Sequence, residues 1–405
     1  MKTDLKNKNI VLGVTGGIAA YKSVELLRLL KGEDADVRVI MTANACWFVG
    51  PLTFKALAGH PVCTGLFENN DDASIRHIEW AREADAVVIA PATANIIGKL
   101  AHGIADDALS TFLLAVTSPI IVCPSMNTHM YQSRPVQRNL ERLKGDGYHI
   151  VKPAAGDLAC GTTGPGRLPE PADILDRLKA FLAPKDLGGK RVLVTAGPTH
   201  EPIDPVRFIS NPSSGKMGFA VARAAEQRGA TVTLVTGPST LSDPINVNLI
   251  RVESAREMAR AVEDHSREAH VIVKAAAVSD YSPLKQSSRK IKKVKNEMTL
   301  SLKRNPDILK ALGSKKKDQI LVGFAAETED LETNAAKKLT EKKLDMIVAN
   351  LVGKKDSGFS ADTNTVTLFF KDGVKESLPT MEKDAVAHIL LDRIVERFLK
   401  VKNKK

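Results

Sequence analysis

Four polar segments in the first half of the chain hold residues that can transfer protons or bind a ligand. They are SIRHI (74–78), PATAN (91–95), PSMNTHM (124–130) and GDLACGTTGPGR (156–167). The imidazole of His77 titrates near neutral pH, which suits acid–base chemistry, and the loop thiol of Cys160 is either inert or reactive. Thr93 and Asn95 follow an apolar run, so they are expected at the carboxyl end of a strand, where parallel sheets bind ligands. Each residue alone is a weak signal, and only the set indicates a site.

A fifth segment, GVTGGIAAYK (13–22), has the pattern of a strand, a glycine turn and the start of a helix. Backbone amides at such a helix N-terminus can hold a phosphate group. The glycines do not follow the GxGxxG spacing, so a dinucleotide fingerprint is not supported. The segment by itself predicts no more than a phosphate contact.

The second half has a long polar segment, TAGPTHEPIDPVRFISNPSSGKMG (195–218), between an expected strand and an expected helix. A connection of this length is usually functional. Its SSGKMG end lacks the GxxxxGK[ST] spacing, so a Walker motif is rejected. Further polar segments follow at KAAAVSDY (274–281), RKIKK (289–293), NPDI (305–308) and GFAAET (323–328). Lys338 and Lys342 are four residues apart and are expected to share one helix face.

Charge is distributed unevenly between the two halves of the chain. The chain has 405 residues and a formal net charge of +11. Residues 1–183 are neutral, with 19 basic and 19 acidic side chains, whereas residues 184–405 hold 39 basic and 28 acidic ones. A basic region can bind nucleic acid, a membrane surface or a polyphosphate, and the alternative is a solvated lysine-rich face. Because few aromatic residues interleave with the lysines, a triphosphate is favoured over a single-stranded nucleic acid.

Hydropathy and cysteine use indicate a protein of the reducing cytoplasm. Apolar runs such as Ala86–Ala90 and Pro119–Cys123 are too short to cross a bilayer. The N-terminal segment shows no cleavage site of small residues, so no signal peptide is expected. The four cysteines, at positions 46, 63, 123 and 160, form neither CxxC pairs nor a disulfide spacing. All of them except Cys160 are expected to be packing residues.

Strand-like apolar runs alternate with helical patterns in both halves, which predicts an α/β fold with two doubly wound, Rossmann-like domains. In the first half, the expected elements are strands at Asn9–Thr15, Val37–Met41, Ala86–Ala90 and Ile120–Cys123 and a helix at Ile18–Leu30. In the second half, the expected strands are Lys190–Ala196, Thr231–Thr236, Asn248–Val252, Val271–Ala275, Thr299–Leu302, Ile320–Phe324 and Met346–Ala349. The expected helices there are Lys216–Arg228, Ala255–Glu268, Leu331–Lys343 and Lys383–Leu399.

Two further patterns concern the hairpin and the linker. Thr365–Phe370 and Val374–Leu378 flank Asp372-Gly373, which predicts an antiparallel hairpin added to the second sheet. Proline, glycine and charge near residues 181–189 indicate a linker. The predicted domains are therefore residues 1–183 and 190–405, joined by residues 184–189.

In order and spacing, the segments of the first half resemble the homo-oligomeric flavin-containing cysteine decarboxylases, over residues 6–183. The specific segments are PxMNxxM and ACGxxGxGR. The resemblance implies a flavodoxin-like domain that binds FMN through Gly17, Ile18, Thr42, Thr93 and Asn95. It also implies that His77 is the catalytic base, that Asn127 and Met130 contact the substrate, and that Cys160 donates a proton from a flexible lid. Oxidation of the substrate thiol by the flavin would give the electrons of the departing carboxylate a sink.

The ordered segments of the second half resemble phosphopantothenate–cysteine ligases of the bacterial, CTP-using type, over nearly all of residues 190–400. The resemblance implies that 4′-phosphopantothenate attacks the α-phosphate of CTP and that the amine of cysteine then displaces CMP. It implies that Asn211 handles the acyl-nucleotide, that Lys290 binds phosphates from a mobile lid (Lys285–Lys295), and that Mg²⁺ binds near Asp280. The implied nucleotide site consists of Lys274, Ala275, Ala276, Asp280, Asn305, Pro306, Asp307, Ile308, Phe324, Lys338 and Lys342.

Together the two resemblances imply a cytoplasmic enzyme of coenzyme A biosynthesis with two activities, ligation followed by decarboxylation to 4′-phosphopantetheine. Its implied partners are 4′-phosphopantothenate, cysteine and CTP, with no nucleic acid and no membrane. The implied assembly is a homo-oligomer, a dodecamer in which ligase-domain dimers link trimers of flavin domains. Three alternatives are a non-catalytic flavin-fold regulatory subunit, a decarboxylase of peptide C-terminal cysteines, and a decarboxylase whose second half only drives dimerisation. The set of His77, Asn127 and Cys160 disfavours the first alternative.

Overall fold

The structure is a computed structural model that describes residues 5–66, 73–158, 161, 163–292, 298–327, 330–351 and 361–400. These residues form two compact units, which meet in sequence between Ala183 and Pro184. Each unit has its own sheet and its own apolar layers.

The first unit is built on a parallel sheet of five strands. They are β1 (Asn9–Val14), β2 (Asp36–Met41), β3 (Ala86–Ala92), β4 (Ile120–Pro124) and β5 (His149–Ile150), in the spatial order β2-β1-β3-β4-β5. This is the flavodoxin-like order, in which the strand order reverses between β1 and β3 and leaves a crevice there. An antiparallel hairpin of β6 (Ala154–Asp157) and β7 (Thr163–Arg167) lies outside the sheet.

Eight helices accompany this sheet in the described part of the first unit. They are α1 (Ala20–Gly32), α2 (Pro51–Ala58), α3 (Ala73–Glu83), α4 (Ala94–His102), α5 (Ala108–Ala115), α6 (Thr128–Gln132), α7 (Arg134–Gly145) and α8 (Pro171–Leu182). A 3₁₀ turn at Ala45–Trp47 follows β2. The helices cover both faces of the sheet, and β3 is consequently buried at every position.

The second unit has an eight-stranded sheet. Its strands are β8 (Arg191–Ala196), β11 (Thr231–Thr236), β12 (Asn248–Arg251), β13 (Val271–Lys274), β16 (Ile320–Glu327), β17 (Met346–Leu351), β19 (Val366–Phe370) and β20 (Lys375–Ser377), in the order β12-β11-β8-β13-β16-β17-β19-β20. The first six of these are parallel and follow the Rossmann order, with the reversal between β8 and β13. β19 and β20 add an antiparallel hairpin, as the sequence predicted.

Three two-stranded ribbons and five helices complete the described part of the second unit. The ribbons pair β9 (Glu201–Pro202) with β10 (Phe208–Ile209), β14 (Tyr281–Pro283) with β15 (Leu302–Arg304), and β18 (Thr363–Asn364) with β21 (Met381–Glu382). The helices are α9 (Lys216–Gln227), α10 (Ala255–Ser266), α11 (Ile308–Lys315), α12 (Leu331–Glu341) and α13 (Lys383–Ile394), and a π-helical turn at Val395–Leu399 continues α13.

The alternation of side chains along each central strand fills two apolar layers. Leu12 packs in the layer that contains α1, and its neighbour Val11 packs in the layer on the other face. In the second unit, Val194 and Leu193 are divided between two layers in the same way. Since a fully buried side chain of this size contributes about 1.5–3 kcal/mol, these layers fix the register of both sheets. The predicted fold class, two doubly wound α/β domains, is confirmed.

One predicted strand is wrong in position. The sequence predicted a strand at Thr299–Leu302, whereas the structure has β15 at Leu302–Arg304. Met298, just before the predicted strand, and Leu302, at its end, are both about half exposed, at 51% and 46%. All three residues of β15 are exposed, so its antiparallel pairing with β14 determines where the strand lies.

Candidate active sites

A cavity of about 850 Å³ lies at the carboxyl ends of the strands of the first unit. Ligand and cofactor sites commonly have volumes of roughly 300–1,000 Å³. The loops after β1, β2, β3 and β4 line it, together with the hairpin of β6 and β7. Seven residues predicted from the sequence lie in its wall: Gly17, Ile18, Thr42, Thr93, Asn95, Asn127 and Met130. The structure thus brings together residues from four separate segments.

The glycine turn after β1 has the close packing that a phosphate contact needs. A Cβ atom on Gly16 would lie 2.4 Å from Cβ of Asn44, so only glycine lets this loop approach the loop after β2. No side chain caps the N-terminus of α1, whose N-cap residue is Ala19. The first-turn amides and the helix dipole therefore favour an anion at this end of the cavity, which fits the phosphate of a flavin nucleotide.

Thr15 is a residue of this site that sequence reasoning missed. Its side chain is 1% exposed, and its Oγ1 donates a 2.7 Å hydrogen bond to the carbonyl oxygen of Pro91. Oγ1 of Thr15 in turn accepts a 3.1 Å hydrogen bond from the amide of Thr93. Thr15 thereby joins the ends of β1 and β3 at the crevice. In the sequence, this role was indicated by a hydroxyl residue at the end of an otherwise apolar strand.

A second group that the sequence did not reveal is an ion cluster in the cavity wall. The Nζ of Lys99 lies 2.6 Å from carboxylate oxygens of both Asp106 and Asp107. Burial alone would lower the pKa of Lys99, but the hydrogen bonds to the two carboxylates outweigh it and raise the pKa. Asp107 also caps α5 in a capping box with Ser110. Lys99 therefore stays charged beside the cavity.

Asn127 lies where the hairpin of β6 and β7 meets the segment after β4. Its Oδ1 accepts a 2.8 Å hydrogen bond from the amide of His129, so Asn127 is the N-cap of α6. The amide of Met126 donates to the carbonyl oxygen of Gly166 at 3.0 Å. A Cβ atom on Gly164 would lie 2.7 Å from Cγ2 of Thr128, so the glycines of the hairpin permit this contact. The glycine-rich segment predicted from the sequence is thus a hairpin that packs on the asparagine segment.

Two predicted catalytic residues of the first unit are only partly covered by the structure. His77 lies in α3, but its side chain is outside the described residues, as is the whole of Cys160. Their roles remain predictions. Cys123 is fully buried, and burial raises the pKa of its thiol, which agrees with a packing role.

A smaller cavity, of about 280 Å³, lies at the carboxyl ends of β13, β16 and β17 in the second unit. Six predicted residues line it: Asn211, Lys274, Ala275, Ala276, Phe324 and Lys338. The others, Asp280, Lys290, Asn305, Pro306, Asp307, Ile308 and Lys342, are not part of its wall. Lys290 is exposed, and residues 293–295 of the predicted lid fall outside the described residues.

Several of the residues outside the wall form its rim. The side-chain amide of Asn305 donates to the carbonyl oxygen of Ser279 at 2.9 Å, and its backbone amide donates to that of Asp280 at 2.8 Å. The Nζ of Lys342 lies 3.0 Å from Oδ2 of Asp307. The two bonds of Asn305 tie the NPDI segment to the turn after β13, and the Lys342–Asp307 pair ties it to the C-terminal end of α12. The rim therefore brings together two segments that, from the sequence, only the family resemblance had assigned to one site.

Lys274 is the most perturbed lysine of this site. Its Nζ donates a 2.7 Å hydrogen bond to the carbonyl oxygen of Ala276. Burial, followed by the charges of Lys342 and Lys338, lowers its pKa to about 8, although Asp307 and Asp280 oppose the shift. A lysine with this pKa changes its charge close to physiological pH, and a polyanion bound beside it would stabilise the charged form.

The expectation that Lys338 and Lys342 share one helix face is only half right. α12 ends at Glu341, and Lys342 is its C-cap residue. Lys338 pairs with Glu327 at 2.5 Å, whereas Lys342 pairs with Asp307. The helix ends before the second lysine, so the two amines point to different acidic partners.

The far wall of this cavity holds polar residues that the sequence analysis did not assign. They are Lys216, Asn350, Asn364 and Lys383. Lys216 pairs with Asp362 at 2.6 Å, and Lys383 donates to the carbonyl oxygen of Ala361 at 2.5 Å. Burial, and then the charge of Lys216, lowers the pKa of Lys383. Four lysines therefore line the cavity, and the described residues of its wall include no acidic one, which suits a polyanionic ligand.

Asn211 is held close to the crevice between β8 and β13. Its Nδ2 donates a 3.1 Å hydrogen bond to the carbonyl oxygen of Ala277. Behind it, a Cβ atom on Gly218 would lie 2.5 Å from Cβ of Ala196, so this glycine lets α9 pack directly on β8.

Among the described residues, no group of three or more histidine, cysteine or acidic side chains is arranged to bind a metal ion.

The fold and the two cavities define a two-domain α/β protein, with one cofactor-sized cavity and one lysine-lined cavity that suits a polyphosphate. Residues 1–183 match the Flavoprotein family, and residues 187–398 match the DNA/pantothenate metabolism flavoprotein C-terminal domain family. The coenzyme A biosynthesis bifunctional protein CoaBC of Bacillus subtilis (strain 168) is 51% identical over 394 residues, which span 96% of this chain and 97% of the relative. The chain belongs to the family of bifunctional coenzyme A biosynthesis proteins.

Solved structures similar to each unit exist as well. The C-terminal domain of a coenzyme A biosynthesis bifunctional protein CoaBC is 45% identical, with a TM-score of 0.46, and the match covers 52% of this chain and 97% of that one. The FMN-dependent cysteine decarboxylase SpaF is 32% identical, with a TM-score of 0.38, and the match covers 44% of this chain and 97% of that one.

Membership of the family confirms the predicted class of protein. The chain is a flavoprotein and a bifunctional enzyme of coenzyme A biosynthesis, with a decarboxylase and a ligase activity on small molecules. The alternative of a non-catalytic regulatory subunit is therefore set aside. No helix within the described ranges is long and apolar enough to cross a membrane.

Proposed function

We propose that the second unit joins 4′-phosphopantothenate to cysteine with CTP, and that the first unit decarboxylates the product to 4′-phosphopantetheine. The observation that carries this proposal is the convergence of predicted residues in both units. Seven of them line the cofactor-sized cavity of the first unit, and six line the lysine-lined cavity of the second. Residues scattered along the sequence converge in this way when they serve a common ligand.

In the first unit, the cofactor is FMN, held by Gly17, Ile18, Thr42, Thr93 and Asn95. Its phosphate would lie at the uncapped N-terminus of α1. When bound there, FMN would supply the oxidant for the substrate thiol and the reductant that restores the thiol after CO₂ has left. Thr15 supports the site because its hydrogen bonds hold the carboxyl ends of β1 and β3 together.

The protein's own groups bind the substrate and move its protons. His77 removes a proton from the substrate, since an imidazole accepts protons readily near neutral pH. Asn127 and Met130 hold the cysteinyl end of the substrate. Cys160 returns a proton after CO₂ has left. The contact of Gly166 with Met126 supports this assignment, because it ties the hairpin that precedes and follows residue 160 to the segment of Asn127.

In the second unit, a carboxylate oxygen of 4′-phosphopantothenate attacks the α-phosphorus of CTP, and pyrophosphate leaves. The amine of cysteine then attacks the acyl carbon, the bond to CMP breaks, and the amide forms. Asn211 contacts the acyl-cytidylate, while Lys274, Lys338 and Lys290 balance charge on the phosphates. Ala275, Ala276, Phe324 and the rim residues Asn305, Pro306, Asp307, Ile308 and Lys342 complete the nucleotide site.

Mg²⁺ would accompany the triphosphate, with Asp280 as its protein ligand. Mg²⁺ in nucleotide sites is typically held by one or two carboxylates, substrate phosphates and water. The exposed carboxylate of Asp280, at the edge of the rim, fits this mode of binding without a preformed cage.

The proposed assembly is a cytoplasmic homo-oligomer, a dodecamer of flavin-domain trimers linked by ligase-domain dimers. Large apolar side chains are exposed near the cofactor cavity, including Trp47 at 88%, Leu52 at 76% and Ile18 at 68%. Apolar groups of this size at one end of a unit support a protein interface there. Light scattering of the full chain measures the mass directly, and a monomeric mass would contradict the proposal.

Paired variants of the full chain test the assignment of the two activities. We expect Lys290→Ala to reduce ligation to a small residual rate, at least about 100-fold below that of the wild type, and to leave decarboxylation of 4′-phosphopantothenoylcysteine intact. We expect Asn127→Ala to lose decarboxylation and keep ligation, so that the cysteinyl intermediate accumulates. Lys310→Ala, which removes an exposed lysine from α11, is the matched control. Loss of both activities in the Lys290 variant would overturn the two-site assignment.

A further inference from the structure

Asp204 is a buried carboxylate that takes no part in the proposed reactions. It lies in the long connection between β8 and α9, and its side chain is fully buried. Its Oδ1 accepts hydrogen bonds from the amides of Val206 and Arg207, both at 2.9 Å. These two bonds close a turn at Asp204. They account for only one of the two carboxylate oxygens.

The other oxygen reaches the segment that carries Lys290. Oδ2 of Asp204 accepts a 3.1 Å hydrogen bond from the amide of Ile291, the residue after Lys290. It also accepts hydrogen bonds from Nε and an Nη of Arg207, at 3.1 and 2.5 Å. That same Nη donates to the carbonyl oxygen of Ile291 at 2.8 Å. Asp204 and Arg207 thus hold both backbone groups of Ile291.

A further backbone contact joins the same two segments. The amide of Ser287 donates a 3.0 Å hydrogen bond to the carbonyl oxygen of Ile203. The stretch from Ser287 to Ile291 is therefore anchored at both ends to the loop of residues 203–207. Lys290 lies inside this anchored stretch, and its side chain remains exposed.

We propose that Asp204 and Arg207 form a clamp that positions Lys290 for the ligation reaction. Asp204 is a positioning residue in this account, since it acts through Ile291 and touches no substrate. The proposal rests on the phosphate-binding role assigned to Lys290 above. A long lysine side chain on an exposed segment has many rotamers, so a fixed backbone at its base lowers the entropy lost when the amine meets a phosphate.

The charge state of the clamp is stable. The hydrogen bonds from Arg207, together with three backbone amides, hold the pKa of Asp204 well below its ordinary value despite the burial of the carboxyl group. The carboxylate is therefore ionised throughout the pH range of an enzyme assay. Its contacts are all with donors, and a charged acceptor makes stronger hydrogen bonds than a neutral one.

Asp204→Asn separates the two halves of the clamp. The amide oxygen can replace Oδ1 and keep the turn to Val206 and Arg207. The NH₂ group then replaces Oδ2 and faces three N–H donors, two from Arg207 and one from Ile291. The turn is retained while the contact with Ile291 is lost. We expect ligation by the full-length variant to fall about 10- to 100-fold in kcat/KM for CTP, with decarboxylation unchanged.

Tryptic cleavage reports on the clamp independently of activity. The amide of the Lys290–Ile291 bond is the group bonded to Asp204, so cleavage there requires the clamp to open. We expect cleavage at this bond, identified by mass, to be at least about tenfold faster in Asp204→Asn. Asp345→Asn is the matched control, because Asp345 is also a buried carboxylate, bonded to Lys316, Lys371 and the amide of Leu321. The control variant should retain wild-type cleavage at Lys290.

A double variant distinguishes positioning from general damage. If Asp204 acts through Lys290, adding Asp204→Asn to Lys290→Ala should not lower the residual ligation further. An additional loss in the double variant, or wild-type cleavage in Asp204→Asn, would overturn the clamp. Full ligation by Lys290→Ala would instead overturn the role assigned to Lys290. In that event, faster cleavage in Asp204→Asn would still support the contact with Ile291, so the two failures are distinguishable.

Discussion

The amide of Met126 donates a 3.0 Å hydrogen bond to the carbonyl oxygen of Gly166, and a Cβ atom on Gly166 would lie only 2.2 Å from the carbonyl oxygen of Met126. The φ angle of Gly166 is +148°, which also favours glycine. This contact docks the hairpin of β6 and β7 beside Asn127. The two segments that the sequence marked as most specific are therefore one structural feature.

Gly166→Ala should separate the hairpin from the segment of Asn127. The overlap with the Met126 carbonyl has no flexible side chain to absorb it, so the backbone must move, at a cost of about 1–3 kcal/mol. We expect decarboxylation of purified 4′-phosphopantothenoylcysteine to fall at least about tenfold. Ligation should be unchanged. Gly145→Ala, at the end of α7 with open space around it, is the control, and equal loss in both variants would contradict this explanation.

Thr15→Val should weaken flavin binding. Valine keeps the shape but leaves the carbonyl of Pro91 and the amide of Thr93 without their hydroxyl partner. An unsatisfied buried group costs about 1–3 kcal/mol, so the Kd for FMN should rise by about tenfold or more. Equilibrium dialysis with flavin absorbance measures this. Ser23→Ala removes a similar buried hydroxyl, bonded to the carbonyl of Ala90 at 2.6 Å outside the cavity wall, and should leave the Kd unchanged.

Binding of CTP should depend on pH through Lys274. Its pKa is lowered to about 8, so the amine is mostly charged at pH 7 and loses its charge as the pH rises through 8. The triphosphate therefore loses a cationic partner above pH 8, and the KM for CTP should rise there. A lysine with an ordinary pKa near 10.5 would produce no such change below about pH 10.

Lys274→Met tests that pH dependence. The variant should raise the KM for CTP at pH 7 by about tenfold, which corresponds to about 1.4 kcal/mol, and should remove the step near pH 8. Lys337→Met replaces an exposed lysine on α12, next to Lys338, and should retain the wild-type profile. If the step near pH 8 persists in Lys274→Met, another group is responsible for it.

Arg228→Met should destabilise the second unit. The Arg228 guanidinium is buried and bonds Asp186 at 2.6 Å, Asp392 at 2.8 Å and the carbonyl oxygen of His388 at 3.1 Å. Removing one partner of a buried ion pair typically costs about 3–5 kcal/mol. Thermal inactivation of ligation should therefore occur at a clearly lower temperature.

Arg223, in α9, provides the control for this prediction. Arg223 pairs with Asp384 at 2.9 Å, but both side chains are substantially exposed. Exposed ion pairs contribute at most about 1 kcal/mol, so Arg223→Met should have little effect on thermal inactivation. Equal destabilisation by the two variants would show that the buried ion network of Arg228 contributes no more to stability than the exposed ion pair of Arg223.

The sequence predicted those site residues that follow apolar strands. Thr93, Asn127 and Lys274 each come directly after or at the end of a buried run, and the carboxyl ends of parallel strands converge in space. Thr15 was missed because its importance depends on hydrogen bonds to β3, a partner that is distant in sequence. Lys383 was missed because α13 reaches the cavity only through the packing of α13 against α9.

Lys216 and β15 show two other limits of sequence reasoning. Lys216 lies in SSGKMG, which was rejected as a Walker motif, and it lines the cavity nonetheless. A motif's spacing can exclude one kind of phosphate loop without excluding a ligand contact. β15 was misplaced because all three of its residues are exposed, so no buried apolar face indicates its register.

The most direct test of the two-activity account is a single turnover assay with the purified full-length protein. It is loaded with FMN, supplied with 4′-phosphopantothenate, cysteine, CTP and Mg²⁺, and its products are identified by mass. We predict 4′-phosphopantetheine, CO₂, CMP and pyrophosphate, with no product when CTP is omitted. If neither CMP nor pyrophosphate is released, and added 4′-phosphopantothenoylcysteine is not decarboxylated, the account is contradicted.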